Sequence, residues 1–100
     1  MSRKLIIRPR AKVDLADAAL WYEQQRAGLG DEFLAAVKAR LAGVADRPAS
    51  FPVKHRSDIR RALVDRFPYG IWFVDATHAV VVLGIFHTSR DYLRLLRRRR

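Results

Sequence analysis

Six side chains in the second half of the chain have the types needed to work on a phosphodiester: Lys54, Arg60, Arg61, His87, Arg90 and Tyr92. Cutting such a bond in RNA without a metal needs a group that activates the 2′-hydroxyl and cations that spread charge on the phosphorane. Histidine and tyrosine can exchange the proton, while lysine and arginine can carry the charge. Each residue also has a plainer reading. His87 closes the apolar run 79–86, where a histidine is either a hydrogen-bonded structural group or an acid-base candidate. The arginines Arg94 and Arg97 to Arg100 are either a solvated tail or an electrostatic arm for DNA or an acidic partner.

Other chemistries lack their residues. The chain has no cysteine, and His55, His78 and His87 are not paired at helical spacing, so neither a disulfide nor a metal site is expected. No glycine-rich loop precedes a helix, which leaves nucleotide hydrolysis and its cofactors without support. Asp14 and Asp17 read as solvent-facing helix charges.

The bulk composition narrows the partners. Lys and Arg number 20 against 10 Asp and Glu, a formal net charge of +10, which favours an anionic partner, either nucleic acid or an acidic protein. Half of the residues are hydrophobic, so the chain should fold, and its 100 residues suit one domain over 1–100. No apolar run approaches the roughly 18 residues that span a bilayer. A soluble cytoplasmic protein without membrane contact is expected.

The elements that must position these residues follow from periodicity. Residues 4–8 hold Leu5, Ile6 and Ile7 before Pro9 and read as a first strand. Over 10–26, Ala11, Leu15, Ala18, Ala19 and Tyr22 fall on one helical face, widened by Leu20 and Trp21. Gly28 supplies a left-handed break and Asp31 an N-terminal acceptor for a second helix, whose stripe is Phe33, Leu34, Val37, Leu41 and Val44 up to Arg47-Pro48. Residues 49–58 show no period and read as an exposed basic loop. Strands follow over 59–67, 71–75 and 79–87 as an antiparallel meander, and 91–100 forms either a short helix or a basic tail. The β-α-α-β-β-β order predicts an α+β fold, a helical hairpin laid on a small antiparallel sheet. Trp21, Tyr22, Phe33 and Leu34 are expected in core or hairpin packing.

With these elements in place, the sequence resembles the RelE/ParE toxin superfamily along nearly its whole length. The matching stretches are Ala11-Lys12-Val13-Asp14-Leu15, Trp21-Tyr22-Glu23, Gly28-Leu29-Gly30-Asp31-Glu32-Phe33-Leu34, Phe51-Pro52, Arg60-Arg61-Ala62-Leu63-Val64, Arg66-Phe67-Pro68-Tyr69-Gly70-Ile71 and His87-Thr88-Ser89-Arg90. The resemblance implies the toxin of a type II toxin-antitoxin pair. Two branches share the scaffold: RelE-like members cut mRNA on the ribosome, and ParE-like members poison DNA gyrase. Where RelE-like nucleases carry an arginine and a lysine, this chain has Gly70 after Tyr69 and Leu63 two positions beyond Arg61, which leaves the phosphate clamp incomplete. Gly28-Leu29-Gly30 with Phe33-Leu34, and Arg66-Phe67-Pro68-Tyr69, look more like ParE. One departure is Asp91-Tyr92-Leu93-Arg94, where ParE-like chains often have proline and then tryptophan.

The resemblance therefore implies a gyrase poison with no chemistry of its own. Lys54, Arg60, Arg61, Arg90, Tyr92 and Arg94 would meet the target, with DNA contact as an addition. It also implies a ParD-like antitoxin in a heteromeric complex, held by Val13, Leu20 and Trp21 and by Arg60, Arg61 and Arg90. The alternatives are a ribosome-dependent mRNA endonuclease using Arg61, His87 and Arg90, and an inactive nucleic-acid-binding homologue.

Overall fold

Pro9 stands at the first helical turn, where its missing N–H has no partner to lose, and from there a 17-residue helix runs unbroken. The computed structural model describes residues 2–99; Met1, Arg100 and the side chains of Arg98 and Arg99 lie outside the described residues. In order, the elements are β1 (Leu5–Ile7), α1 (Pro9–Gln25), α2 (Leu29–Asp46), a 3-10 turn (Pro48–Ser50), β2 (Val53–His55), β3 (Ile59–Leu63), β4 (Tyr69–Asp75), β5 (Val80–His87) and α3 (Tyr92–Arg99).

The α+β architecture agrees with the sequence expectation, and the segment after Arg90 is a helix over the described residues. The sheet differs in two ways. It has five strands in the order β1-β5-β4-β3-β2, and β1 joins β5 in parallel while the other pairs are antiparallel. The helical hairpin carries the chain from β1 back over the sheet, so the first strand ends beside the last. The second difference is β2, in a segment expected to be loop. Its three residues form an edge strand with an irregular register against β3, too short to leave a period in the sequence.

Boundaries moved for local reasons. Helix α2 starts at Leu29 because Gly28, at φ 89°, turns the chain left-handed just before it. Asp31 and Glu32 then sit inside its first turn, where carboxylates face the positive end of the helix dipole. Strand β3 ends at Leu63 because Arg66 adopts φ 72° and Val64 N–H bonds to the Tyr69 carbonyl, closing a turn before β4.

Both faces of the sheet are covered. One carries Ala62, Ile71, Phe73, Val82 and Ile85 against Ala18 and Tyr22 of α1 and Phe33, Val37 and Val44 of α2. The other carries Ile59, Trp72, Leu83 and Phe86 under Leu96 of α3. A bulge in β5 lets both clusters form. Trp72 pairs with Gly84 and Phe73 with Val82, so Leu83 is an extra residue and the alternation of sides reverses beyond it. Val82 faces the hairpin before the bulge, and Ile85 faces it afterwards.

The turn of the hairpin is held by one carboxylate. Glu23 accepts from the Gly28 N–H at 3.0 and 3.1 Å and from the Gly30 N–H at 3.0 Å. Gly30 has no room for a side chain, since a Cβ there would lie 2.7 Å from the Ala19 carbonyl oxygen. Replacing Gly30 by alanine is expected to destabilise the fold by about 1–3 kcal/mol. Gly43→Ala should instead stabilise it by about 0.5–1 kcal/mol, because its Cβ would meet only the Phe51 ring edge at 4.0 Å. Urea midpoints moving in opposite directions would bear this out; equal midpoints would refute the close approach at Gly30.

Candidate functional site

Beyond the end of β1, the edge of β5 has no strand beside it, and α1 crosses there. Asp14 of α1 accepts the Ile85 N–H at 3.0 Å, satisfying a donor on that edge. A cleft of about 690 Å³ opens between α1, the ends of β4 and β5, and α3. Asp14, Asp17 and Trp21 form its helical wall, Tyr22 and Tyr69 its aromatic floor, and His87 and Arg90 its far side.

The groups in the cleft constrain one another. The His87 ring lies edge-on to Tyr69 with centroids 5.3 Å apart. Its Nδ1 accepts the Ser89 N–H at 3.1 Å and lies 2.7 Å from the Ser89 hydroxyl, so the neutral ring carries its proton on Nε2. Arg90 is exposed at the rim, in a turn closed by its N–H to the His87 carbonyl. Burial raises the Tyr69 phenol pKa above its ordinary value; Arg90 opposes the rise and Asp14 adds to it. Burial also raises that of Tyr22, with Tyr69 contributing.

The other sequence-derived candidates lie elsewhere. Arg60 and Arg61 are neighbours on β3 and so point to opposite faces. Arg60 donates to the carbonyls of Phe51 at 2.5 Å and Ala49 at 3.3 Å, clasping the segment between α2 and β2. Arg61 lies 5.6 Å from the Trp72 ring centroid on the face that α3 partly covers. The depression beside it is only about 10 Å³. Tyr92 stacks on the same Trp72, centroids 4.3 Å apart and planes at 21°. Arg94 is exposed on α3, and Lys54 on β2. The fold thus brings His87 and Arg90 to one cleft that Arg61 does not line, while His87 also borders the small depression beside Arg61. Arg60, Arg61 and Arg90 do not form a single cluster.

The apolar candidates are at the surface beside the cleft: Val13, Leu20 and Trp21 of α1 are 58%, 59% and 55% exposed. Trp21 was expected in packing and does touch Tyr22, at 5.1 Å between centroids, but its outer face is open. Leu34 is likewise exposed, whereas Tyr22 and Phe33 are buried as expected.

Residues 5–92 match the ParE toxin of type II toxin-antitoxin system, parDE. The chain belongs to this ParE toxin family. Among solved structures, a chain of the "Chromosomal ParDE TA system from P. aeruginosa" has a TM-score of 0.66 and 16% identity, covering 86% of this chain and 96% of that one. At that identity, the likeness speaks for a shared fold. No curated protein sequence matches the chain. Among the described residues of this ParE family member, no group of three or more His, Cys, Asp and Glu is placed to hold a metal ion, and no helix is long and apolar enough to cross a membrane.

Asp14, Asp17, Tyr22, Tyr69 and Ser89 of this ParE chain line the cleft without having been singled out as site residues. For Asp14 a signal existed: it lies three residues after Ala11 and four before Ala18, on the buried stripe of its helix rather than the solvent face. The two phenols give a pH dependence. An unfolded chain releases these protons near pH 10 and the folded one only higher, so the unfolded state binds fewer protons there and stability falls as pH rises past about 10. The melting temperature should drop between about pH 9 and about pH 11, and less so in the Tyr22→Phe/Tyr69→Phe variant. An equal drop in both proteins would show that the phenols do not carry the effect.

Proposed function

We propose that the chain is a growth-inhibiting toxin that binds and poisons DNA gyrase in the cytoplasm and is neutralised by a ParD-like antitoxin. Membership of the ParE family supports the toxin, and the placement of Arg61 supports the absence of strand-cutting chemistry. Catalysis on a phosphodiester needs the acid-base group and the charge-bearing cations around one phosphate. Here the cleft with room for a substrate holds His87 and Arg90 without Arg61, and the depression that His87 shares with Arg61 is only about 10 Å³. Target contact then falls to the basic residues outside the cleft, Lys54, Arg61 and Arg94, together with Tyr92, with Arg90 at the rim, while Arg60 acts by holding the segment before β2.

A second reading, ribosome-dependent mRNA cleavage, draws support from one feature: Tyr69, His87 and Arg90 border a cleft with room for a nucleotide. Purified toxin in a gyrase supercoiling and DNA-cleavage assay, and in parallel in a translation mix read by primer extension, separates the two. Gyrase inhibition with intact mRNA is expected. Cut mRNA with unaffected gyrase would replace the first reading by the second, and inactivity in both assays would leave a homologue without toxicity.

For the antitoxin, the open apolar strip Val13, Leu20 and Trp21 offers anchors for a partner helix beside a strongly basic body. Asp17 on this wall argues for apolar anchoring there and for acidic residues of the antitoxin placed nearer Arg90. Trp21→Ala and Leu20→Glu are each expected to weaken antitoxin binding by about 2–4 kcal/mol in calorimetry while leaving gyrase inhibition in place. Unchanged affinity in both variants would move the antitoxin interface elsewhere.

A further inference from the structure

We infer that the sheet face beside α3 binds the phosphodiester backbone of nucleic acid, with Arg61 at its centre. The Arg61 Nε is buried and has no hydrogen-bond partner, and no acceptor among the described residues meets its guanidinium. A half-buried cation in this condition is costly unless an anion completes it. Its position is nonetheless fixed. The guanidinium is held 5.6 Å from the centre of the Trp72 ring, itself stacked on Tyr92. The arginine stem lies across bare backbone at Gly70, where a Cβ would come within 3.1 Å of Arg61 Cδ. Packing alone therefore presents the terminal amino groups of a planar guanidinium in a fixed orientation, the geometry that pairs with phosphate oxygens.

The surroundings favour a polyanion. Lys54 is exposed on β2, the edge strand that pairs with the strand carrying Arg61. Arg94 and Arg97 are exposed on the adjacent α3. Asp91, at the start of that helix, is turned to the Arg94 backbone N–H. The carboxylates Asp14 and Asp17 line the larger cleft, which Arg61 does not border, and there they would repel nucleic acid. The depression at Arg61 is shallow, about 10 Å³, which suits a backbone lying across the surface better than a side chain seeking a pocket. The inference stands whichever target the toxin strikes.

Fluorescence anisotropy with a labelled DNA duplex and a labelled RNA strand, each about 20 nucleotides long and at low salt, tests it on the full chain. Arg61→Met is expected to weaken binding about tenfold and to reduce the slope of log affinity against log salt by about one. Arg61→Lys should fall between that variant and the parent, and Gly70→Ala should weaken binding several-fold with no change in net charge. Lys38→Gln, on the exposed side of α2, should change affinity by less than about twofold. Circular dichroism establishes that each variant is folded, and the DNA and RNA arms tell which nucleic acid is held more tightly. Equal losses from Arg61→Met and Lys38→Gln would overturn the site in favour of diffuse attraction. Arg61-dependent binding of a glutamate-rich peptide, with no binding of either nucleic acid, would overturn it in favour of a protein partner.

Discussion

Four aromatic rings from four segments hold the helical hairpin to the sheet. Tyr22 of α1 meets Phe33 of α2 and Phe67 of the β3–β4 turn at 5.0 and 4.9 Å between centroids, and Phe33 meets Tyr69 of β4 at 5.1 Å. Three of these rings are buried, and Tyr69 is partly so. Edge-on aromatic pairs add about 0.5–1.5 kcal/mol each beyond the area they bury. The cluster is both core and site: Tyr22 and Tyr69 also form the floor of the cleft, so the contact that orients α1 sets the distance between the carboxylate wall and His87. Loosening the core would therefore reshape the cleft before it unfolded the chain.

Around this cluster the fold puts its charges to different uses. The carboxylates of α1 face inward along the cleft, and one of them is committed to the β5 edge. Exposed cations lie on α3, with Arg94 and Arg97, and also on the hairpin helices, with Arg10, Lys12 and Lys38. Several arginines serve the scaffold instead: Arg3 grips Asp75 and the carbonyls of Ala76 and Thr77, Arg40 pairs with Asp65 at 2.7 Å, and Arg26 and Arg66 share Glu32. Arg66 and then Arg26 hold the Glu32 carboxyl below the usual carboxylate range. A net charge of +10 thus overstates the cation available to partners, and arginine content alone could not say which members were already engaged.

The parts of the fold that sequence reasoning recovered are those with a strong period or a sharp break. The stripes of α1 and α2, the left-handed Gly28 and the apolar runs of β4 and β5 are of this kind. Parallel pairing of β1 was not visible, because three residues with two β-branched members fit either direction. The candidate site was less legible. Adjacency of Arg60 and Arg61 looked like a patch, although strand alternation sends adjacent residues to opposite sides. Cleft residues such as Tyr22 and Tyr69 looked like core, and they are both.

The extra residue at Leu83 has the widest reach for its size. Strands count sides by odd and even positions, and this insertion switches the parity for everything downstream. Shortening β5 by that one residue would remove the bulge and restore regular alternation, with Gly84, Ile85, Phe86 and His87 keeping their partners on β4 and their faces. What the extra residue supplies is therefore one more apolar side chain for the cluster under the terminal helix and the local bend of a bulged strand, while the pairing of β4 with β5 fixes which face each later residue takes.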